Sequence, residues 1–125
     1  LNVDNTQKPQ KENYPIEFMD VTKTWPYEDN YFDYALSEHM IEHIRDKDNL
    51  FMLKEALRTL KPGGVIRITC PDIPTEQMLI NQLKKAGFKK VKSCKYGVSE
   101  HSELNGIELN DGVRNYESLC VEGTK

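Results

Sequence analysis

Cysteine is scarce in this chain, and what there is suits neither metal nor redox motifs. Cys70, Cys94 and Cys120 are the three present. No two of them form a C-x-x-C pair, which removes both a zinc ribbon and a thioredoxin-type centre. Their apolar, strand-like surroundings predict buried, reduced thiols in a cytoplasmic protein. Long apolar runs are missing too: none approaches the roughly 20 residues that a membrane-spanning helix needs. No secretory signal pattern stands in the first residues, so no membrane partner is expected. Positive charge is in deficit, with a net charge of −3. Lysines and arginines are scattered without a basic stripe, which argues against a nucleic-acid partner. The 30% of charged residues and the mean hydropathy of −0.68 describe a chain with a wet surface. Its 125 residues suffice for one core, and a single domain over 1–125 is expected.

What is there alternates between strand and helix signals. Residues 1–4 (LNVD) read as a short strand or the end of one, followed by a polar loop with Pro9 and Pro15. Residues 16–19 (IEFM) form a second short apolar strand, ending at Asp20. Residues 32–36 (FDYAL) suit a buried strand, which need not alternate cleanly. A helix is predicted over 48–61 from Leu50, Leu53, Leu57 and Leu60, with Asp46 or Asp48 as its cap and Lys61-Pro62-Gly63-Gly64 as its end. Residues 65–70 (VIRITC) are β-branched and strand-like. A second helix is predicted from Thr75 to Ala86, with Lys84 and Lys85 favourable at its C-terminal end. Strands at 88–96 and 118–121 close the series, separated by a long polar loop. The order β-β-β-α-β-α-β-β argues for a largely parallel α/β sheet.

One motif asks for a decision. His39-Met40-Ile41-Glu42-His43 matches H-x-x-E-H, the inverted zinc-peptidase signature. A peptidase needs that pair within one uninterrupted helix, and a third ligand further on. Here "SEHMIEHIRDKD" falls on a short connection between a strand and a better helix, and no third ligand stands at usable spacing. No bound metal is expected. Polar groups just past the carboxyl end of a strand are, however, the usual site builders of open α/β sheets. His39 and His43 are therefore candidates for lining a pocket.

The run "YEDNYFDYALSEHMIEHI" followed by "EALRTLKPGGVIRITCPD" resembles the second half of class I S-adenosylmethionine-dependent methyltransferases, and small bacterial ones in particular. The shared features are a [DN]-x-x-FD strand, the segment after it, a helix running to LKPGG, and a further strand. "LKKAGFKKVKSCKYG" and "RNYESLCVEG" look like the last helix and the final two strands of that fold, the last inserted antiparallel. The resemblance implies a Rossmann-like sheet, mostly parallel, with S-adenosylmethionine as cofactor and methyl transfer as the reaction. It also exposes a departure. The family's glycine-rich G-x-G turn is absent from the sequence, and Gly63-Gly64 cannot replace it. "LNVD" resembles the family's second strand, so the first strand and its helix are expected to be the missing part of the sheet.

The resemblance also implies site residues. Asp4 would pair with the ribose hydroxyls, Asp20 would take the adenine amino group, and the Val21 amide would meet the ring. Ser37 and Glu38 would lie near the methionine end, and His43 or His39 would serve as a base near neutral pH. The methyl acceptor is not legible; a small molecule or a glycan-type acceptor both fit. Unpaired strand edges would favour a homo-oligomer. The competing expectation, carried by the missing glycine turn, is a non-catalytic interaction module that binds no cofactor.

Overall fold

The computed structural model describes residues 3–4, 17–38, 40–41, 44–71, 76–106 and 118–125. Six strands and two helices follow in the expected order: β1 (Val3–Asp4), β2 (Glu17–Phe18), β3 (Phe32–Glu38), α1 (Asp46–Thr59), β4 (Leu60–Pro71), α2 (Glu76–Ala86), β5 (Lys89–Ser93) and β6 (Ser118–Thr124). β1 and β2 pair in parallel, with Val3 opposite Glu17 and Asp4 opposite Phe18. The other four strands form a second sheet in the order β3-β4-β6-β5. β3 and β4 are parallel, whereas β6 runs antiparallel to both of its neighbours. Among the described residues the two sheets share no ladder.

Alternation along the strands sorts the side chains into two faces. Ile66, Ile68 and Cys70 of β4 and Val121 of β6 meet Met52, Leu53 and Ala56 of α1 and Leu79 and Leu83 of α2 in one buried cluster. The expected leucine stripe is only part of this seam. Leu53 and Leu60 are fully buried, while Leu50 and Leu57 pack against its margin. The opposite face carries Arg67, Thr69, Cys120 and Glu122, all buried. Segment 95–106 lies across this face: Arg67 donates to the Lys95 carbonyl at 3.0 Å, and Ser99 donates to Glu122 at 2.7 Å.

Several boundaries differ from expectation. Arg45, in an extended conformation, occupies the N-cap of α1, and its side chain caps no backbone amide. Asp46 and Asp48 instead lie in the first turn, where they complement the dipole, and Asp48 accepts from Arg45 at 3.0 Å. At the other end α1 stops at Thr59, and Leu60 to Gly64 already belong to β4. Register explains this: Phe32 pairs with Leu60 but Tyr34 with Val65, so Lys61-Pro62-Gly63-Gly64 is spare length bulged out of the ladder. Gly63 takes φ +81°, and a Cβ on Gly64 would fall 2.8 Å from the Lys61 carbonyl oxygen. The K-P-G-G signal therefore marks the bent entry to a strand. β3 runs on through Ser37 and Glu38, β5 is shorter than expected, and β6 is longer. Thr75, expected as the α2 cap, lies outside the described residues. β5 is an edge strand rich in lysine, with Lys90 at φ 49° and a register shift between Lys89 and Lys92. Both features discourage pairing with another strand.

Candidate functional site

The carboxyl ends of β2 and β3 and the inner face of α1 converge on one small apolar pocket. Its volume is about 60 Å³, and its walls include Met19, Val21, Trp25, Ser37, Met40 and Met52. Three methionines give this wall flexible, polarisable side chains that adapt to a flat ring.

The β2 side of the pocket is a tight turn. Asp20 accepts from the Thr22 amide at 3.0 Å and from the Thr22 hydroxyl at 2.6 Å. These two bonds, the hydroxyl first, hold the Asp20 carboxyl below the usual range. Asp20 is exposed, between Met19 and the buried Val21. It thus stands as an exposed, ionised acceptor next in the chain to two residues of the pocket lining.

Trp25 is held in place from three directions. Its indole N–H donates to the Val21 carbonyl at 3.0 Å, and its amide donates to Glu55 Oε2 at 2.9 Å. Arg58 then binds Glu55 in an ion pair at 2.8 Å and donates to the carbonyls of Trp25 and Tyr27. Arg58 lowers the Glu55 carboxyl below its ordinary range. The loop after β2 is thereby fastened to α1 by charge-assisted bonds, which are stronger than neutral ones. Of the three aromatic residues in this loop, Trp25 faces the pocket. Tyr27 and Tyr31 stack on each other and meet Phe32 edge to face, and none of these three is in the pocket lining.

On the β3 side, Ser37 is buried, and its hydroxyl has no hydrogen-bond partner among the described residues. A buried, unsatisfied hydroxyl on a pocket wall fits a ligand that offers a polar edge. Asn49 fixes the turn after β3. Its side-chain amide donates to the carbonyls of Ile41 and Ile44, each at 3.0 Å, tying that turn to α1. Asn49 was not among the residues expected from the sequence. Its one signal is a polar residue on the core-facing stripe of an amphipathic helix.

The expected site residues divide into groups. Val21 and Ser37 line the same pocket, and Asp20 stands in the chain between the lining residues Met19 and Val21 without itself lining it. Glu38 does not join them: it pairs in register with Thr69, on the opposite face of the sheet. Asp4 closes β1 beside Phe18 of β2, on the same side as Asp20 along the chain direction of the strands. His39 and His43 lie outside the described residues. Among the described residues no group of three His, Cys, Asp or Glu is placed to hold a metal ion. No described helix is long and apolar enough to cross a membrane.

A family model described as "Methyltransferase domain" matches residues 2–68, which include β1, β2, β3, α1 and most of β4. The chain belongs to the methyltransferase-domain family. The methyltransferase domain is 44% identical over 45 residues to phosphoethanolamine N-methyltransferase 2 of Caenorhabditis elegans, a match covering 36% of this chain and 10% of that protein. Two of the solved structures that share its fold illustrate the likeness. One is a SAM-dependent methyltransferase of Thermotoga maritima, described as a possible histamine N-methyltransferase, with a TM-score of 0.61 and 24% identity over 88% of this chain and 63% of that one. The other is a SAM-dependent methyltransferase of Archaeoglobus fulgidus, with a TM-score of 0.64 and 15% identity over 90% of this chain and 68% of that one. The domain thus spans about a tenth of the curated relative it matches. S-adenosylmethionine is the cofactor of this class, and the apolar lining, with the Ser37 hydroxyl unpartnered among the described residues, is compatible with a flat ring that carries a polar edge. The pocket walls are mainly apolar, the buried Ser37 hydroxyl stands among them, and the Asp20 carboxylate lies on the residue between Met19 and Val21.

Proposed function

We propose that the domain transfers a methyl group from S-adenosylmethionine to a small-molecule acceptor, with a nitrogen nucleophile the first class to test. The observation that carries this reading is the convergence of Val21, Ser37 and Trp25 on one apolar pocket at the carboxyl ends of β2 and β3. Ligands of open α/β sheets bind at that end. The curated relative is named as an N-methyltransferase of phosphoethanolamine, which supports the acceptor class.

When bound, the cofactor supplies a methyl carbon made electrophilic by its sulfonium. The remaining work is positional. Asp20 accepts the adenine amino group, the Val21 amide donates to the ring, and Met19, Met40 and Met52 enclose it. Asp4 takes the ribose hydroxyls. Ser37 meets a polar edge of the ligand, and Glu38 orients the methionine end from the other face of β3. His43 or His39, which follow β3 in sequence, removes the proton of a protonated acceptor. Among the described residues β1 and β3 each pair on one side only, which supports self-association of the isolated domain, and sedimentation velocity over a concentration series tests it directly. Concentration-independent monomer would remove that part.

The deciding experiment is methyl transfer from isotope-labelled S-adenosylmethionine to a panel of primary and secondary amines, run beside calorimetric binding of S-adenosylhomocysteine. Transfer that is lost on Asp20→Ala supports the reading. Absence of both binding and transfer favours instead a methyltransferase-like interaction module, the reading that the missing G-x-G turn supports.

A further inference from the structure

Two of the three cysteines face each other across a strand pair. The β5–β6 register places Lys92 opposite Glu122 and Ser93 opposite Val121. The next step along that ladder sets Cys94 opposite Cys120, and it is made: the Cys94 amide donates to the Cys120 carbonyl at 2.8 Å. Residues directly opposite in an antiparallel pair have Cα atoms about 4.5 or 5.5 Å apart. Both values fall within the range of about 4.4–6.8 Å that a disulfide spans.

The two side chains also share a face. Cys120 pairs with Thr69 just as Glu122 pairs with Arg67, so Cys120 stands on the face of the Arg67–Glu122 ion pair. Cys94 lies two residues beyond Lys92, which is opposite Glu122, and its thiol feels Glu122, Arg67 and Lys92. Cys70 belongs to the other face, in the core against the two helices. Sheet alternation therefore segregates one cysteine and juxtaposes the other two.

We propose that Cys94 and Cys120 form a modification site: a reversible intrachain disulfide that staples β5 to β6 and closes the 95–119 excursion. The roles of the two thiols differ. Cys94 is half-buried, whereas Cys120 is buried, so Cys94 is the entry point for a low-molecular-weight disulfide oxidant such as glutathione disulfide. The Cys94 thiolate attacks one sulfur of the oxidant, forming a mixed disulfide and releasing one thiolate. The Cys120 thiolate then attacks the Cys94 sulfur, forming the protein S–S bond and releasing the second. Two protein thiols give up two electrons and two protons, and one oxidant disulfide becomes two thiols. Burial, and secondarily the charge of Glu122, hold the Cys94 thiol above its usual range. The reaction is therefore slow near neutral pH and faster in alkaline buffer. The closed bond removes freedom from the unfolded chain and stabilises the fold.

The test incubates the folded 125-residue chain with glutathione disulfide at neutral and alkaline pH. Intact mass and a non-reducing peptide map follow, and no variant is required. The expected product has lost two hydrogens, joins the Cys94 and Cys120 peptides, leaves Cys70 reduced, and melts at a higher temperature until a thiol reductant reverses it. In denaturant the same oxidant should give linkages that include Cys70. A glutathione adduct persisting on Cys94, an intermolecular disulfide, or linkage through Cys70 in the folded chain would each overturn the proposal. Cys120→Ser, expected to trap the Cys94 adduct, provides the independent check: failure to accumulate it would show that Cys94 is not the entry thiol.

Discussion

At the scale of single residues, Glu55 decides where Trp25 sits. Its carboxylate binds both the Trp25 amide and Arg58, and Arg58 in turn holds the Trp25 carbonyl. Glu55→Gln removes the charge from these bonds, and a loss of about 1–2 kcal/mol in unfolding free energy is expected, measurable by urea titration. The pH dependence has a definite sign. The folded carboxyl is held below its ordinary range, first by Arg58. Its contribution is therefore complete above the unfolded carboxylate value of about 4.3 and disappears as pH falls through the depressed folded value. Glu55→Gln should lose this part of the acid sensitivity, and Trp25, the single tryptophan, reports it by fluorescence. The Arg67–Glu122 pair is buried far more deeply, with its side chains at 0% and 2% exposure. Removing one partner strands the other charge, so Arg67→Met should cost about 3–5 kcal/mol, while Arg67→Met with Glu122→Leu should recover much of it. A double-mutant cycle by thermal melting checks both.

At the scale of elements, the order of strands and helices was legible because each has a local signal. Val65 to Cys70 is β-branched, and Met78, Leu79 and Leu83 recur at helical spacing before Gly87. What escaped is whatever depends on register between distant strands. K-P-G-G reads as a helix stop, since Pro and Gly give the same local signal at a helix end and at a bulge. Only the pairing of Phe32 with Leu60 and Tyr34 with Val65 distinguishes them. The Arg67–Glu122 pair and the Cys94–Cys120 juxtaposition were invisible for the same reason. Each requires knowing that β6 returns antiparallel beside β4 and β5 at one particular offset. Ser37 and Glu38 illustrate this within the site: adjacent in sequence, they fall on opposite faces once β3 extends through both. The bulge makes its own prediction. Gly63→Ala places a side chain at φ +81° and should cost about 1–2 kcal/mol. Gly64→Ala should cost more, since its Cβ would meet backbone oxygens of Lys61 and Asp33 at 2.8 and 3.1 Å, which have no flexible end to move aside. Thermal denaturation of the two variants should rank them in that order.

At the scale of the whole molecule, two sheets stand beside a pocket that belongs to one end of both. The loop after β2 and the turn after β3 reach it from different sheets, and α1 joins them through Glu55, Arg58 and Asn49. We propose this pocket as the site that receives the adenosine end of S-adenosylmethionine. Trp25 lines it and is the chain's single tryptophan, so ligand entry should change its emission. The direct measurement is a fluorescence titration of the purified chain with S-adenosylhomocysteine, repeated with adenosine and on Asp20→Ala. A saturable change is predicted, with a dissociation constant no tighter than about tens of micromolar. The sequence has no G-x-G turn to donate backbone bonds to the amino-acid end, and each such charge-assisted bond is worth about 1.5–3 kcal/mol. Adenosine should retain most of the signal, and Asp20→Ala should weaken both ligands. An emission that does not respond to either ligand, or a response that Asp20→Ala leaves untouched, would contradict the placement of the cofactor in this pocket.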